Sequence, residues 1–432
     1  MQTPPSPDIF LIHVHDLGDW LPCYGHPSVS APNLQRLADE GVVFDSAFAT
    51  SPLCTPARSS MFTGQLPHEN GLMGLSHAGW RYREGVVTLP EMLGELGYCT
   101  ALLGLQHEDL DARRLGYDEV HGLGFLPRAM EVAELAERWL PEADDEAPMF
   151  ASIGLWEVHR PWPEYDYAPH DPAAVEVPGF LPDNADTRHD LAGFYGAIAH
   201  MDEAVGRILR AIDASARRRE SIVVFTTDHG PAFPGAKSTL YDPGVKVAFL
   251  VRPPRSWEVR PGRRNAPVSH LDIVPTFVEV AGGEASADLP GESMLPLLSG
   301  SGSDSGGRQN DRALFLEKTH HDRYDPIRAV RTARAKYIRN YVDGPRLPLP
   351  DDLERSQTRR GMGDAHLAWR PPEELYLLGD DPTERRNAID DSRHAETREH
   401  MRALLDEHMR ATADPVATGV VPAPVRPEKR ER

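Results

Sequence analysis

The run Ser221-Ile222-Val223-Val224-Phe225-Thr226-Thr227-Asp228-His229-Gly230 decides how the rest of the chain is read. Ser221 to Thr226 is uncharged and rich in β-branched residues, the composition of a strand buried on both faces. It then ends at once in a carboxylate, an imidazole and a glycine. Three other apolar runs end the same way. Asp8 to Val14 leads into His15-Asp16, Tyr98 to Leu103 into Gln106-His107, and Met149 to Leu155 into Glu157 and His159. Helical patterns separate them. Asn33 to Gly41 carries Leu34, Leu37 and Ala38 on one face, Val87 to Pro90 opens a helix ending near Gly97, and a long amphipathic segment runs from about Thr187 to Ala216. Val247 to Val251 adds a further strand. The alternation predicts an α/β fold, a large mostly parallel sheet sandwiched by helices. Ligands of such sheets bind beyond the carboxyl ends of the strands. Any one of these polar ends would serve as a cap, and Asp228-His229-Gly230 reads equally as a strand-terminating turn with glycine at positive φ. Four of them together point to a site.

The chain has 432 residues, with 46 basic against 66 acidic side chains and a formal net charge of -20. Its length suits one large domain and a smaller one, expected at 1–322 and 323–432. Ile327 to Thr332 and Lys336 to Tyr341 read as a hairpin of a small C-terminal antiparallel sheet, with a final helix over Arg393 to Met409. Ser299 to Asp311 has the composition of a flexible loop, and a mobile tail or a strap is expected from about 414. The acidic balance speaks against nucleic acid as a partner, while leaving room for a locally basic pocket. Met1 to Pro7 lacks the basic stretch of a secretory leader, and no apolar run is long enough to span a bilayer. A cytoplasmic protein with no membrane partner is therefore expected. Cys23, Cys54 and Cys99 do not make a disulfide framework, and Cys23 and Cys99 are expected to be buried or half-buried.

His15-Asp16 and Asp228-His229 read as two halves of a divalent metal site. Paired carboxylates suit Ca²⁺ or Mg²⁺, whereas imidazoles shade toward Mn²⁺ or Zn²⁺.

One further stretch is unusual. Leu53-Cys54-Thr55-Pro56-Ala57-Arg58 places a thiol beside a proline and an arginine, and continues Ser59-Ser60-Met61-Phe62-Thr63-Gly64. It resembles the signature of the type I sulfatases, of the alkaline phosphatase-like superfamily. The resemblance extends in order through Asp228-His229-Gly230, Lys237, Ser269 to Thr276, Gly291 to Leu298 and Glu374 to Pro382. Within the family the likeness is greatest to the heparan N-sulfatases (sulfamidases). It rests there on Pro67 to Leu75, Thr319-His320-His321-Asp322 and Tyr324-Asp325-Pro326-Ile327-Arg328.

The resemblance implies that Cys54 is oxidised to formylglycine by a formylglycine-generating enzyme, and that the hydrated aldehyde attacks sulfur. It implies a metal, Ca²⁺ first with Mg²⁺ or Mn²⁺ as alternatives, held by His15, Asp16, position 54, Asp228 and His229. Arg58 would hold the site together, Lys237 would neutralise the sulfuryl group, His159 would be the general acid, and His107 would release sulfate. His320, His321 and Arg328 would surround a small sulfated substrate, a sugar. The chain departs from the family pattern twice: His15 stands where an aspartate is usual, and Leu105 where a lysine contacts the sulfate. The rival readings are a phosphonate or phosphate ester hydrolase with the same nucleophile, and a catalytically silent binding protein.

Overall fold

The computed structural model describes residues 6–122, 124, 126–215, 217, 220–299 and 312–425. Apart from Ser299, the loop read from Ser299 to Asp311 lies outside them, as does the terminal Pro-Glu-Lys-Arg-Glu-Arg.

Among the described residues the fourteen strands are β1 Asp8–Val14, β2 Val42–Phe44, β3 Ala47–Phe48, β4 Cys99–Gly104, β5 Glu119–His121, β6 Met149–Gly154, β7 Ser221–Thr227, β8 Phe249–Arg252, β9 Gly262–Arg264, β10 Val268–Ser269, β11 Leu314–His320, β12 Tyr324–Arg331, β13 Ala335–Asn340 and β14 Glu373–Leu377. Eight of them form one sheet in the order β5-β4-β6-β1-β7-β8-β2-β9. The first five run parallel, and β8 is antiparallel to both its neighbours. The register brings the carboxyl ends level, Gly104 beside Gly154, His13 beside both Gly154 and Thr226.

The alternation along β1 and β7 explains the layers. Phe10, Ile12, Val223 and Phe225 face one core, against the helices Ala129–Trp139 and Ala185–Ala214. Ile9, Leu11, Ile222 and Val224 face the other, against the helices Cys54–Thr63 and Ile273–Val280. Both faces are covered, so β1 and β7 carry almost no exposed residue. Among the described residues no helix is long and apolar enough to cross a membrane.

The C-terminal sheet has the antiparallel order β11-β12-β13-β14. The expected boundary at 322 needs correction: it falls in the turn joining β11 to β12, which pair from Leu314–Arg331 to His320–Tyr324. A cut there would split that hairpin between the two parts. The segment from 414, expected as a mobile tail or a strap, is tied down in its first residues. Asp414 is buried against Arg328 at 2.5 Å, Val416 and Val421 enter a core, and His320 Nε2 donates to the Val421 carbonyl at 2.9 Å. A buried charge pair and two apolar anchors make this segment a strap. Cys99 is exposed at the start of β4, whereas Cys23 is half-buried.

Candidate active site

The level strand ends place four segments around one point. The helix Cys54–Thr63 starts there, with Leu53 extended before it, Pro56 in its first turn and Gly64 closing it in the left-handed region at φ 68. After β1 the chain turns sharply at Asp16, whose φ is 55, a conformation Asp tolerates better than most residues. After β7 the Asp228 carboxylate folds back, with Oδ1 accepting from the amides of Asp16 at 2.9 Å and His229 at 2.8 Å. Gly230 is needed for close approach and not for positive φ. A Cβ there would lie 1.9 Å from the Pro243 carbonyl oxygen.

His15, Asp16, Cys54, Asp228 and His229 each bring a donor atom within 4.8 Å of the others, and all five are buried. Burial of two carboxylates is costly unless cations answer them. Arg58, itself fully buried, donates through Nε to Asp228 at 3.2 Å and through Nη2 to the Val14 carbonyl at 2.8 Å. Lys237 donates to Asp16 at 2.7 Å. Burial works against both carboxylates, but Lys237 with the nearby histidines holds Asp16 well below the usual range, and the histidines and Arg58 do the same for Asp228. Burial, reinforced by the two carboxylates, pushes the Cys54 thiol well above its ordinary value, even with Lys237 nearby.

The donor set fits a divalent cation. His229 Nδ1 donates to the Gly230 carbonyl at 2.9 Å. That leaves the Nε2 lone pair facing Asp16 Oδ1 at 3.2 Å and Cys54 Sγ at 3.5 Å. Electron-rich atoms converge there, and the outer nitrogen is fixed by a carbonyl as in metal-ligating histidines. His15 Nδ1 lies 2.8 Å from Asp16 and 3.1 Å from Asp228, while its Nε2 is buried with no hydrogen-bond partner among the described residues.

His107 and His159 lie in the segments that follow β4 and β6. Thr55 Oγ donates to the His107 carbonyl at 2.6 Å, which ties that loop to the start of the Cys54 helix. His107 is packed near His15 and stacks on His77, and burial followed by the His15 and Arg58 charges keeps it well below its ordinary pKa. His159 Nδ1 donates to the Arg160 carbonyl at 2.6 Å, so its Nε2 is free to accept from Lys237 at 3.3 Å. Burial and then Lys237 push its pKa down to about 3.

The three residues expected around the sugar separate. His320 and His321 line a cavity of about 350 Å³ with Trp80, Arg323 and Tyr324. Arg328 does not reach it. Its guanidinium is buried against Asp414 and the Lys318 and Ile327 carbonyls, so the expected substrate contact is corrected to a structural one. Leu105 is buried and brings no charge.

Two residues escaped the sequence reading. His13 accepts from Arg58 Nη1 at 2.6 Å through Nδ1 and meets Ser152 through Nε2 at 2.9 Å. Its position inside an apolar strand was the available signal. Asp352 accepts from Lys237 at 2.9 Å and lies 3.9 Å from His159. Nothing in Asp351-Asp352 distinguishes it from an ordinary acidic helix start.

Comparison with known proteins agrees with this geometry. The Sulfatase family model matches residues 7–283, and the model "N-sulphoglucosamine sulphohydrolase, C-terminal" matches residues 235–356. Human N-sulphoglucosamine sulphohydrolase is 27% identical, the match covering 91% of this chain and 88% of the relative. A solved structure of a protein in complex with its substrate D-glucosamine-2-N,6-O-disulfate superposes with TM-score 0.71 at 18% identity, covering 95% of this chain and 98% of the other. The phosphonate monoester hydrolase of Agrobacterium radiobacter superposes with TM-score 0.70 at 20% identity, covering 95% and 96%. The chain belongs to the sulfatase family, hydrolases of sulfuric esters and sulfamates.

Proposed function

We propose that this chain is a formylglycine-dependent sulfatase acting on a sulfate ester or sulfamate of a sugar. The observation that carries the reading is Cys54 at the start of its helix, 3.5 Å from His229 Nε2 and within reach of Asp16 and Asp228. Formylglycine at position 54 would supply a hydrated aldehyde as nucleophile; loss of the second hydroxyl's proton would expel sulfate and leave the aldehyde, which water rehydrates. His15, Asp16, Asp228 and His229 would hold a divalent ion, Ca²⁺ first with Mg²⁺ or Mn²⁺ as alternatives, to supply Lewis-acid charge.

The chain's own residues have separate tasks. Arg58 fixes Asp228 against the end of β1. Lys237 Nζ presents an ammonium to the sulfuryl oxygens, where charge accumulates. His159 Nε2, which accepts from Lys237 at 3.3 Å, faces the same space, takes up a proton from that ammonium and passes it to the departing nitrogen or oxygen, Lys237 being reprotonated from solvent. His107, held beside Thr55, takes the proton whose removal frees sulfate. The cavity lined by Trp80, His320, His321 and Tyr324 suits a sugar ring, since aromatic faces and polar edges alternate there. It adjoins the site: Asp322 in its wall accepts from the amide of Asp351, next to Asp352. The names of the relatives, a sulphoglucosamine hydrolase and a glucosamine disulfate complex, support the same substrate class. With Cys23, Cys54 and Cys99 all free, the reading keeps the cytoplasm as its compartment.

Mass analysis of the Cys54 peptide, after co-expression with a formylglycine-generating enzyme, tests the nucleophile. Full activity with an unmodified thiol would sink it. Side-by-side rates on an aryl sulfate, a sulfamate, a phosphodiester and a phosphonate separate the sulfatase from the phosphonate hydrolase reading. Metal content of the purified protein decides the ion.

A further inference from the structure

Lys237 is the cation that must meet the substrate, yet its ammonium is engaged three ways, with Asp16 at 2.7 Å, Asp352 at 2.9 Å and His159 at 3.3 Å. The two carboxylates differ in place. Asp16 is sealed, with no exposed side-chain surface, whereas the Asp352 side chain is 22% exposed. An incoming sulfuryl group reaches Lys237 from the open side and competes with Asp352.

Asp352 cannot simply withdraw. The short helix Asp351–Glu354 is anchored by fully buried Leu353, packed with Ala232 and Leu349. The amide of Asp351 donates to Asp322 at 2.9 Å, and Asp352 Oδ1 accepts from the Leu353 amide at 3.0 Å. Once Lys237 turns to the sulfuryl group, Asp352 Oδ2 is a fixed, partly desolvated carboxylate oxygen 3.9 Å from His159 Nε2. On the reading above, that is the leaving-group side. A carboxylate held there attracts an N–H or ammonium and repels an anion. Sequence offers no such role, because Asp352 lies 115 residues beyond Lys237.

We propose that Asp352 sets specificity at the leaving group, selecting sulfated substrates whose departing half carries an ammonium or amine and rejecting those that carry a carboxylate. The proposal rests on the roles given to Lys237 and His159 under the proposed function. It favours amino-sugar sulfamates over sulfated uronates, and agrees with a protein whose formal charge is -20.

The test uses three small sulfates of similar size: choline sulfate, its neutral isostere 3,3-dimethylbutyl sulfate, and 3-sulfooxypropanoate. Binding is measured to the full-length Cys54→Ala protein, and turnover with the mature enzyme. The expected order in both is cation above isostere above carboxylate. In Asp352→Asn the choline-to-isostere ratio falls about tenfold, and in Asp352→Glu, which keeps the charge, most of the ratio returns. An equal affinity for all three sulfates in the parent protein overturns the proposal without any variant. So does an Asp352→Asn protein that loses affinity for all three alike, the result expected of a merely structural residue. Ordered binding with no turnover of any sulfate would sink the hydrolase reading and leave Asp352's role standing; turnover without charge order would do the reverse.

Discussion

Two buried charge clusters in this molecule are built from similar residues and do different things. The first, at the carboxyl ends of β1, β4, β6 and β7, joins Asp16 and Asp228 to Arg58 and Lys237, with histidines between them. The second, beneath the C-terminal strap, joins Glu317 and Asp414 to Arg328 and His68. The second is closed: its side chains are between 1% and 4% exposed, and both Asp414 oxygens are taken by Arg328. The first opens to the surface through His159 and Asp352, exposed by 17% and 22%. In it, moreover, the Nε2 lone pair of His229 faces a carboxylate and the Cys54 sulfur. Paired charge holds a fold together, whereas charge left facing its own kind awaits a ligand.

The sharpest way to break the comparison is at its nucleophile. Cys54→Ala should fold, since it removes only a buried thiol, and should lower kcat/KM on an aryl sulfate by at least about 10⁴-fold. Retained activity would remove Cys54 from the chemistry. In the closed cluster, Arg328→Met leaves Asp414 buried without its cation. Denaturant unfolding should show a loss of about 3–5 kcal/mol, with kcat/KM of the remaining folded enzyme little changed. A selective loss of activity at unchanged stability would return Arg328 to the substrate site.

Lys237→Ala acts on turnover, lowering kcat/KM by about 10²–10³-fold while binding of the released sugar changes little. The smallest effect is a pH dependence. Burial opposes the His68–Glu317 pair at both ends, yet Glu317 raises His68 above 6.5, and His68 with Arg328 lowers Glu317 from 4.5 to about 2. The His68 contribution is complete below 6.5 and fades as pH rises through its raised pKa. The Glu317 contribution is present above 4.5 and is lost as pH falls toward 2. The stability gap between the parent protein and Glu317→Gln, about 1–2 kcal/mol, should therefore be widest between 4.5 and 6.5 and narrow on both sides. A gap independent of pH would show that packing, not charge, does the work there.

The open cluster was largely legible in the sequence, and the closed one was not, for a physical reason. A strand must end somewhere, so the polar residues after β1, β4, β6 and β7 declare their shared location through the sheet alone. His68 and Glu317, 249 residues apart, meet only because the hairpin of β11 and β12 packs on the Pro67–Asn70 turn. No periodicity announces such a contact. The same limit hid Asp352, and it made Arg328 look like a substrate ligand when its nearest anion lay 86 residues away in a segment read as a tail or a strap. His13 was overlooked because an imidazole inside an apolar strand looks like filling until Arg58 is seen bonded to it.

The burial of Cys54 carries a consequence for how the protein is made. Its side chain is walled in by His229, 175 residues later in the chain, with Lys237 beyond it. On the reading proposed for Cys54, an enzyme that converts it has no path to the thiol once those later segments are in place. Maturation then belongs to the interval when the Cys54 helix has been synthesised and β7 has not yet closed over it. Slow translation through the middle of the chain would favour conversion, and a protein refolded from unmodified material would stay beyond rescue.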